Sequence, residues 1–256
     1  MNLNLNGKVV VVTGGATGMG FETAAAFGAE GCSIALCGRR AQMLDEAKKE
    51  LESKGYKVFC KVVDVTDEAQ VNSFADDVVK ELGRLDVWIN NAGRTVHKGM
   101  MEIDAAEWHD VIDTDLTSVF FGCKAAANHM KEHGGVILNA GSFQSLFPAA
   151  GSGPYGAAKA GVCSLTRSFA AELACWNIRV LTYIPGVIET PMAKVDNWMV
   201  ATNQQANIPL PRLGKTTDIA NALVFLASEK AEYINGVNIE ITGGKFCVQN
   251  PRYAWE

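Results

Sequence analysis

Tyr155 and Lys159 stand four residues apart, and Ser142 lies thirteen residues upstream of the tyrosine. On a helix the i, i+4 spacing puts a phenol and an ammonium on one face, about a turn apart. That arrangement suits proton transfer. An ammonium about 4 Å from a phenol, at an effective dielectric near 20, contributes ~4 kcal/mol, enough to draw tyrosine's ordinary pKa of ~10 toward neutrality. Ser142 follows the apolar run Val136-Ile137-Leu138, so it is expected at the carboxyl edge of a strand, where its hydroxyl can hydrogen-bond a substrate oxygen. Taken alone, the Tyr-Lys pair reads as ordinary packing and solvation on a helix. Other elements have to position it.

The N-terminal segment supplies them. Val9-Val10-Val11-Val12 is a β-branched run, followed by Thr13-Gly14-Gly15-Ala16-Thr17-Gly18-Met19-Gly20 and an alanine-rich stretch reaching about Glu30. The pattern predicts a strand, a glycine turn and a helix. Gly14, Gly18 and Gly20 let the backbone turn tightly and approach a pyrophosphate, while the open amides of the helix start offer hydrogen bonds and a partial positive charge.

With these two motifs go Asp64-Val65, Asn90-Asn91-Ala92-Gly93, Asn139 before Ser142, Pro185-Gly186 and Thr190-Pro191. Arg212-Leu213-Gly214, Asp218-Ile219-Ala220, Phe225-Leu226-Ala227-Ser228 and Gly243-Gly244 follow near the C-terminus. In this order, over nearly the whole length, the chain resembles the short-chain dehydrogenase/reductase family. The resemblance implies a single doubly wound Rossmann-type α/β domain and an oxidoreductase that moves hydride between a nicotinamide cofactor and a small secondary alcohol or ketone. Ser142 would polarise the substrate oxygen and Tyr155 exchange its proton. Lys159 would hold the nicotinamide ribose and depress the Tyr155 pKa. Asp64 would bond the adenine amino group, with Val65 beside it, and Asn91, Ala92 and Gly93 would border the adenosine side. Thr17, Met19, Pro185, Gly186 and Ile188 would complete the cofactor contacts, with Thr190 at the carboxamide.

Cofactor choice is read at the end of the second predicted strand, Ser33-Ile34-Ala35-Leu36-Cys37, followed by Gly38-Arg39-Arg40. No carboxylate stands there to bond a ribose 2′-hydroxyl or repel a 2′-phosphate. Arg39 can pair with that phosphate, so NADP(H) is expected, with NAD(H) as the alternative. The preference is expected to be modest, because many NADP-binding relatives carry a basic residue where this chain has Thr17.

The chain also departs from the family. Where the pattern Asn-Leu-x-x-x-Phe supplies a fourth catalytic member, the residues here are Asp115-Leu116-Thr117-Ser118-Val119-Phe120. The family's Asn helps hold a relay water near the lysine. At about 7 Å and an effective dielectric near 20, a carboxylate there is expected to raise the Lys159 or Tyr155 pKa. Asp115 therefore raises an alternative, a dinucleotide-binding regulatory or scaffold protein with impaired catalysis. A 3-ketoacyl thioester reductase is a further alternative within the enzyme class. Its usual carrier-docking arginines are replaced by Ala127 and Ala171, although Lys124, Lys131 and Arg167 stand nearby.

The chain has 256 residues, a net charge of −5 and seven scattered cysteines without a Cys-x-x-Cys pair. These features give no electrostatic reason for nucleic-acid binding and suit reduced core thiols. No run approaches the ~18 apolar residues of a membrane span, and the first residues lack a signal-like pattern, so a cytoplasmic location is expected. Strands are predicted near 8–13, 32–37, 57–63, 85–90, 135–141, 178–184 and 237–241, giving a seven-stranded, mostly parallel sheet. The irregular segment near 187–211 is expected to form a substrate lid over this single domain of residues 1–256. A homotetramer is expected through the helices carrying Cys123 to Met130 and Gly156 to Ala174. His129 and His133, at i and i+4, lack an evident third ligand, so no metal is expected. Arg94 and His97 could instead meet a polar or anionic substrate.

Overall fold

The computed structural model describes residues 2–190, 208–245 and 247–248. Seven strands form one sheet: β1 (Val9–Thr13), β2 (Ser33–Gly38), β3 (Val58–Val62), β4 (Val87–Asn90), β5 (Gly135–Ala140), β6 (Ile178–Pro185) and β7 (Asn238–Ile241). Their order is β3-β2-β1-β4-β5-β6-β7, and every pairing is parallel. The predicted strands agree with the observed ones to within a residue or two.

The side-chain period of two divides each strand between two apolar layers. Val10, Val12, Ile34 and Leu36 join one core, whereas Val9, Val11, Ala35 and Cys37 join the other. On the first face lie α1 (Gly18–Ala29), α2 (Ala41–Ser53) and α7 (Thr216–Ala227). On the second lie α3 (Glu68–Leu82), α5 (Ser118–Met130) and α6 (Gly153–Glu172). Both faces are covered, which is why the strands read as continuous apolar runs.

Local signals set the helix ends. Asp67 caps α3 by accepting from the Ala69 and Gln70 amides, and Gly83 ends it at φ 91°. Asp104 and Glu107 form a capping box at the start of α4 (Ala105–Ile112). Between α4 and α5 the chain widens into a π-helical turn over Asp113–Thr117.

Successive strands run outward from β1 in opposite directions, so a crevice opens between the carboxyl ends of β1 and β4. The helix-bearing turns after β1, β2 and β5 open at this same edge. Of the expected lid, residues 187–190 and 208–211 belong to the described structure and 191–207 lie outside it.

Candidate active site

The crevice is tied across the β1/β4 switch point by hydrogen bonds. Thr13 Oγ1 accepts from the Asn91 and Ala92 amides, each at 3.0 Å. Asn91 Nδ2 donates to the Thr13 and Gly14 carbonyls at 3.0 and 3.3 Å, and the Tyr183 hydroxyl donates to Asn91 Oδ1 at 3.3 Å. Asn91 thus braces the glycine turn as well as bordering the groove, a role the sequence did not disclose.

Gly14 adopts φ +63°, and a Cβ there would approach Ala92 Cα to 3.0 Å. A Cβ on Gly20 would come within 2.6 Å of Asn91 Nδ2. The turn therefore needs glycine for both conformation and space. Thr17 occupies the N-cap of α1 without a side-chain capping bond. The first amides of α1 are left for an anionic ligand, as a bound pyrophosphate requires.

One groove runs along this edge. It is lined by Gly14, Thr17, Gly18, Met19 and Gly20 from the turn, and by Arg39, Asp64 and Val65 from the ends of β2 and β3. Asn91, Ala92, Gly93 and Thr190 line it as well. The Asp64 carboxylate accepts from the Thr66 amide at 3.0 Å and from the Thr66 hydroxyl at 2.8 Å, which fixes its orientation. Gly38 leaves open space where a Cβ would stand, and α2 begins beside Arg39 and Arg40 without a side-chain cap. These residues fit the pyrophosphate and adenosine portions of a dinucleotide.

Met19, Asn91, Gly93 and Thr190 also line a second cavity. Ser142, Tyr155, Lys159 and Asp115 line it together, and so do Pro185, Gly186 and Ile188. Every site residue singled out in the sequence thus falls in one of two adjoining hollows. Sequence reasoning missed Phe143, Gln144, Ala140 and Val187, which wall the second cavity. Proximity to Ser142 and Pro185 was the available signal. The Ser152 hydroxyl donates to Gln144 Oε1 at 2.6 Å, and the Gln144 backbone amide donates to Ser142 Oγ at 3.1 Å.

The electrostatics centre on a buried ion pair. Lys159 Nζ lies 3.0 Å from Asp115 Oδ1, with side-chain exposures of 3% and 0%. The Arg94 amide donates to the other carboxylate oxygen at 3.0 Å. This contact is much closer than the separation of about 7 Å expected from the sequence, because the π-helical turn aims Asp115 inward and Gly161 lets α6 pass against Leu116. Gly93 is equally constrained, since a Cβ there would stand 2.7 Å from Asp115 Oδ1.

Burial lifts the Asp115 carboxyl above the ordinary carboxylate range, against the pull of Lys159 and the Arg94 amide. Burial also works against the Lys159 ammonium, but attraction to Asp115 and Tyr155 outweighs it and holds the lysine above its usual range. Tyr155 differs from the sequence expectation. Burial pushes its phenol up, overcoming the opposing influence of Lys159 and a hydrogen bond from Ser142, and Asp115 adds to the rise. The ligand-free protein therefore stores the proton on Tyr155. With Lys159 Nζ 5.7 Å from the ring centroid and already paired to Asp115, its charge is only partly felt by the phenol.

Other polar residues are engaged elsewhere. The Arg94 guanidinium pairs with Asp110 and Lys98 with Glu107, which anchors the loop after β4 to α4. The Arg94 charge is thereby balanced, although Arg94 and His97 both line the second cavity. His129 Nε2 meets Asp76 at 2.9 Å, and His133 Nδ1 meets the Gly134 carbonyl at 2.7 Å. Among the described residues no three His, Cys, Asp or Glu side chains form a metal-binding group, and no helix is long and apolar enough to cross a membrane.

Comparison with known proteins agrees with this geometry. The family described as Enoyl-(Acyl carrier protein) reductase matches residues 14–245. A 3alpha-hydroxysteroid dehydrogenase of Mediterraneibacter gnavus is 37% identical over 246 residues, covering 95% of this chain and 98% of that protein. A 3-oxoacyl-[acyl-carrier-protein] reductase of Thermotoga maritima is 36% identical over 243 residues, covering 94% and 99%. The crystal structure of a short-chain type dehydrogenase/reductase from Mycobacterium marinum superposes with a TM-score of 0.92 at 31% identity, covering 96% of this chain and 98% of that one. The glycine turn, the Ser-Tyr-Lys cavity and relatives matched over nearly their full length lead to one assignment: the chain belongs to the short-chain dehydrogenase/reductase family, oxidoreductases acting on CH-OH groups.

Proposed function

We propose that the protein interconverts a small secondary alcohol and its ketone with NADP(H), NAD(H) being the alternative cofactor. The observation that carries this reading is the continuity of the two hollows. The groove that fits a dinucleotide opens through Met19, Asn91, Gly93 and Thr190 onto the cavity of Ser142, Tyr155 and Lys159. When bound, the nicotinamide cofactor supplies or takes the hydride. The Ser142 hydroxyl donates a hydrogen bond to the substrate oxygen. Tyr155 gives that oxygen a proton in reduction and takes it back in oxidation. Lys159 stabilises the phenolate left behind, and Asp115 fixes the ammonium. Met19, Phe143, Val187 and Ile188 provide apolar walls that keep water from the reacting centre.

Arg39 supports the choice of NADP(H). It is exposed beside the open space at Gly38, and no carboxylate follows β2. A charge-assisted bond to the 2′-phosphate predicts that Arg39→Ala weakens NADPH binding about tenfold or more, while NADH binding changes less than about twofold. Fluorescence titration with both cofactors checks this, alongside turnover of a panel of alcohols and ketones. Equal affinity of the unmodified protein for the two cofactors removes the assignment, and absence of turnover across the panel removes the reaction.

The 3-oxoacyl thioester alternative draws on the names of relatives. Against it, Ala127 is buried, Lys124 is paired with Glu68 at 2.7 Å, and Lys131 lies over the Trp176 ring at 4.9 Å. A small free substrate fits these surfaces better than a carrier-bound one. The impaired-catalysis alternative has one observation in its favour, the Asp115 partner that already occupies Lys159. Single-turnover hydride transfer with preloaded cofactor separates that alternative from an active enzyme.

Assembly as a homotetramer is part of the proposal, and the outward face of α5 and α6 supports it. Phe120 is 39% exposed and packs on Phe169 at a centroid distance of 6.0 Å, while Ala157, Ala160 and Ser164 present a small-residue face on α6. Such a face permits close helix packing between copies. Light scattering at micromolar concentration is expected to give the tetramer mass, and a monomer mass contradicts this assembly.

A further inference from the structure

Beneath the active site the sheet carries a line of buried polar side chains. Trp88 Nε1 donates to Asn90 Oδ1 at 2.7 Å, and Asn90 Nδ2 donates to Asn139 Oδ1 at 2.8 Å. Asn139 Nδ2 donates to Thr166 Oγ1 at 2.9 Å, and the Thr182 hydroxyl donates to the same oxygen at 2.8 Å. Asn90, Asn139 and Thr182 stand directly opposite one another on β4, β5 and β6. Asn139, Thr166 and Thr182 are 0% exposed, so each of these bonds is made away from water. Burying amides and hydroxyls is costly unless they are bonded, and a satisfied network of this kind fixes one geometry where apolar contact would tolerate several.

The line ends on the catalytic helix. Thr166 lies seven residues beyond Lys159 and eleven beyond Tyr155, and eleven residues make close to three turns. All three side chains therefore share the face of α6 that meets the sheet. Ala158, Val162 and Ala170 make up much of the remaining contact on that face. They hold the helix down but do not fix its position along its own axis, because apolar attraction is non-directional. At the other end of the Asn139–Thr166 bond, Asn139 lies three residues before Ser142 on β5 and its following turn. Space for the network is built in, since a Cβ on Gly122 of α5 would come within 2.1 Å of Asn90 Oδ1.

We propose that this network is a register lock between β5 and α6, and that Thr166 is a positioning residue that aligns Tyr155 with Ser142. A slip of one residue along α6 would carry Tyr155 about 1.5 Å along the axis and about 100° around it. Displacement of a reacting group by about 1 Å can cost on the order of 10²-fold in rate. The inference deepens the proposed alcohol-ketone reaction and, for its kinetic arm, rests on that reading.

Thr166→Val keeps the branched shape and removes the oxygen that accepts both bonds. It is expected to lower kcat per nucleotide-binding site about tenfold or more, and Thr166→Ser to restore it to within about threefold of the native value. Affinity for an adenosine 2′,5′-bisphosphate fragment, which needs only the β1–β3 end of the groove, is expected to stay within about twofold. Thr182→Val removes one donor and is the gentler variant. Combined with Thr166→Val it should add little, because both changes act through one oxygen. An unchanged kcat per binding site in Thr166→Val, with only a lower Tm, makes the network a stabiliser and overturns the lock. An activity-free arm keeps the two proposals apart. Ultraviolet titration of the Tyr155 phenol, taken as the difference from a Tyr155→Phe background, should move in Thr166→Val and return in Thr166→Ser. If the native protein turns over no alcohol or ketone, the proposed reaction fails, and this titration still decides the lock: a stationary Tyr155 overturns it.

Discussion

Tyr155→Phe is expected to lower kcat by about 10²–10⁴-fold while leaving cofactor affinity within about twofold of the native value. The substitution deletes the transferable proton and retains the ring. The ring matters structurally, since Lys159 Nζ lies 5.7 Å from its centroid. Lys159 keeps its Asp115 partner in the variant, so its ammonium should stay where it is. Ser142→Ala is expected to reduce kcat as well, because it removes the donor proposed for the substrate oxygen and the bond that favours ionised Tyr155. The measurements are steady-state kinetics and a fluorescence titration with reduced cofactor. Near-native kcat in Tyr155→Phe would mean that another group handles the proton, and the Ser-Tyr-Lys reading would be wrong.

The proton chemistry behind that prediction was partly legible in the sequence. Strand runs such as Val9-Val10-Val11-Val12 announced themselves because a parallel sheet covered on both faces needs apolar residues at every position. The i, i+4 spacing of Tyr155 and Lys159 likewise survives folding, since a helix fixes which residues share a face. Electrostatic direction does not follow from spacing. Lys159 was expected to depress Tyr155, yet burial dominates and Asp115 takes up much of the lysine's charge. That partnership depends on a π-helical turn over Asp113–Thr117, which side-chain periodicity does not encode. The register lock was hidden for a related reason. Asn90, Asn139, Thr166 and Thr182 are far apart in the chain, and only the strand register and the seating of α6 bring them to one line.

Asp64 and Arg94 show a second limit. Ligand contacts were expected of Asp64 from the family resemblance and of Arg94 from its place after the Asn-Asn-Ala-Gly turn, and both do line the hollows. But Asp64 is oriented by Thr66, and the Arg94 guanidinium is paired with Asp110. A residue's type gives its chemical capacity, whereas its partners decide how much of that capacity is available to a ligand.

Replacing Asp115 should expose what its second oxygen contributes. In the native site one carboxylate oxygen faces Lys159 and the other accepts the Arg94 amide. An asparagine offers a single acceptor, so in this geometry Asp115→Asn can serve only one of the two donors. Asp115→Ala can serve neither and leaves the buried ammonium unpaired. Removing one member of a buried ion pair costs about 3–5 kcal/mol, so the alanine variant is expected to lose on the order of 10 °C in Tm. The asparagine variant should lose less and retain substantial activity.

The pH dependence of the asparagine variant gives the sharper test. A negative neighbour favours the protonated forms of both Tyr155 and Lys159, and Asp115 contributes to the rise of each. Its neutralisation must therefore lower both pKa values. In the proposed reaction alcohol oxidation needs ionised Tyr155, so its rate should rise with pH as the phenol loses its proton. In Asp115→Asn that rise should move to lower pH, while ketone reduction, which needs the protonated phenol, should begin to fall at lower pH than in the native protein. The two profiles shift together because one titration governs both. Stationary profiles would mean that the Asp115 charge is not felt at Tyr155 and that its part is confined to holding Lys159 and the Arg94 loop. A different result, in which the native protein is nearly inactive and Asp115→Asn reaches ordinary enzyme rates, would make the native ion pair a brake on turnover and favour the dinucleotide-binding alternative.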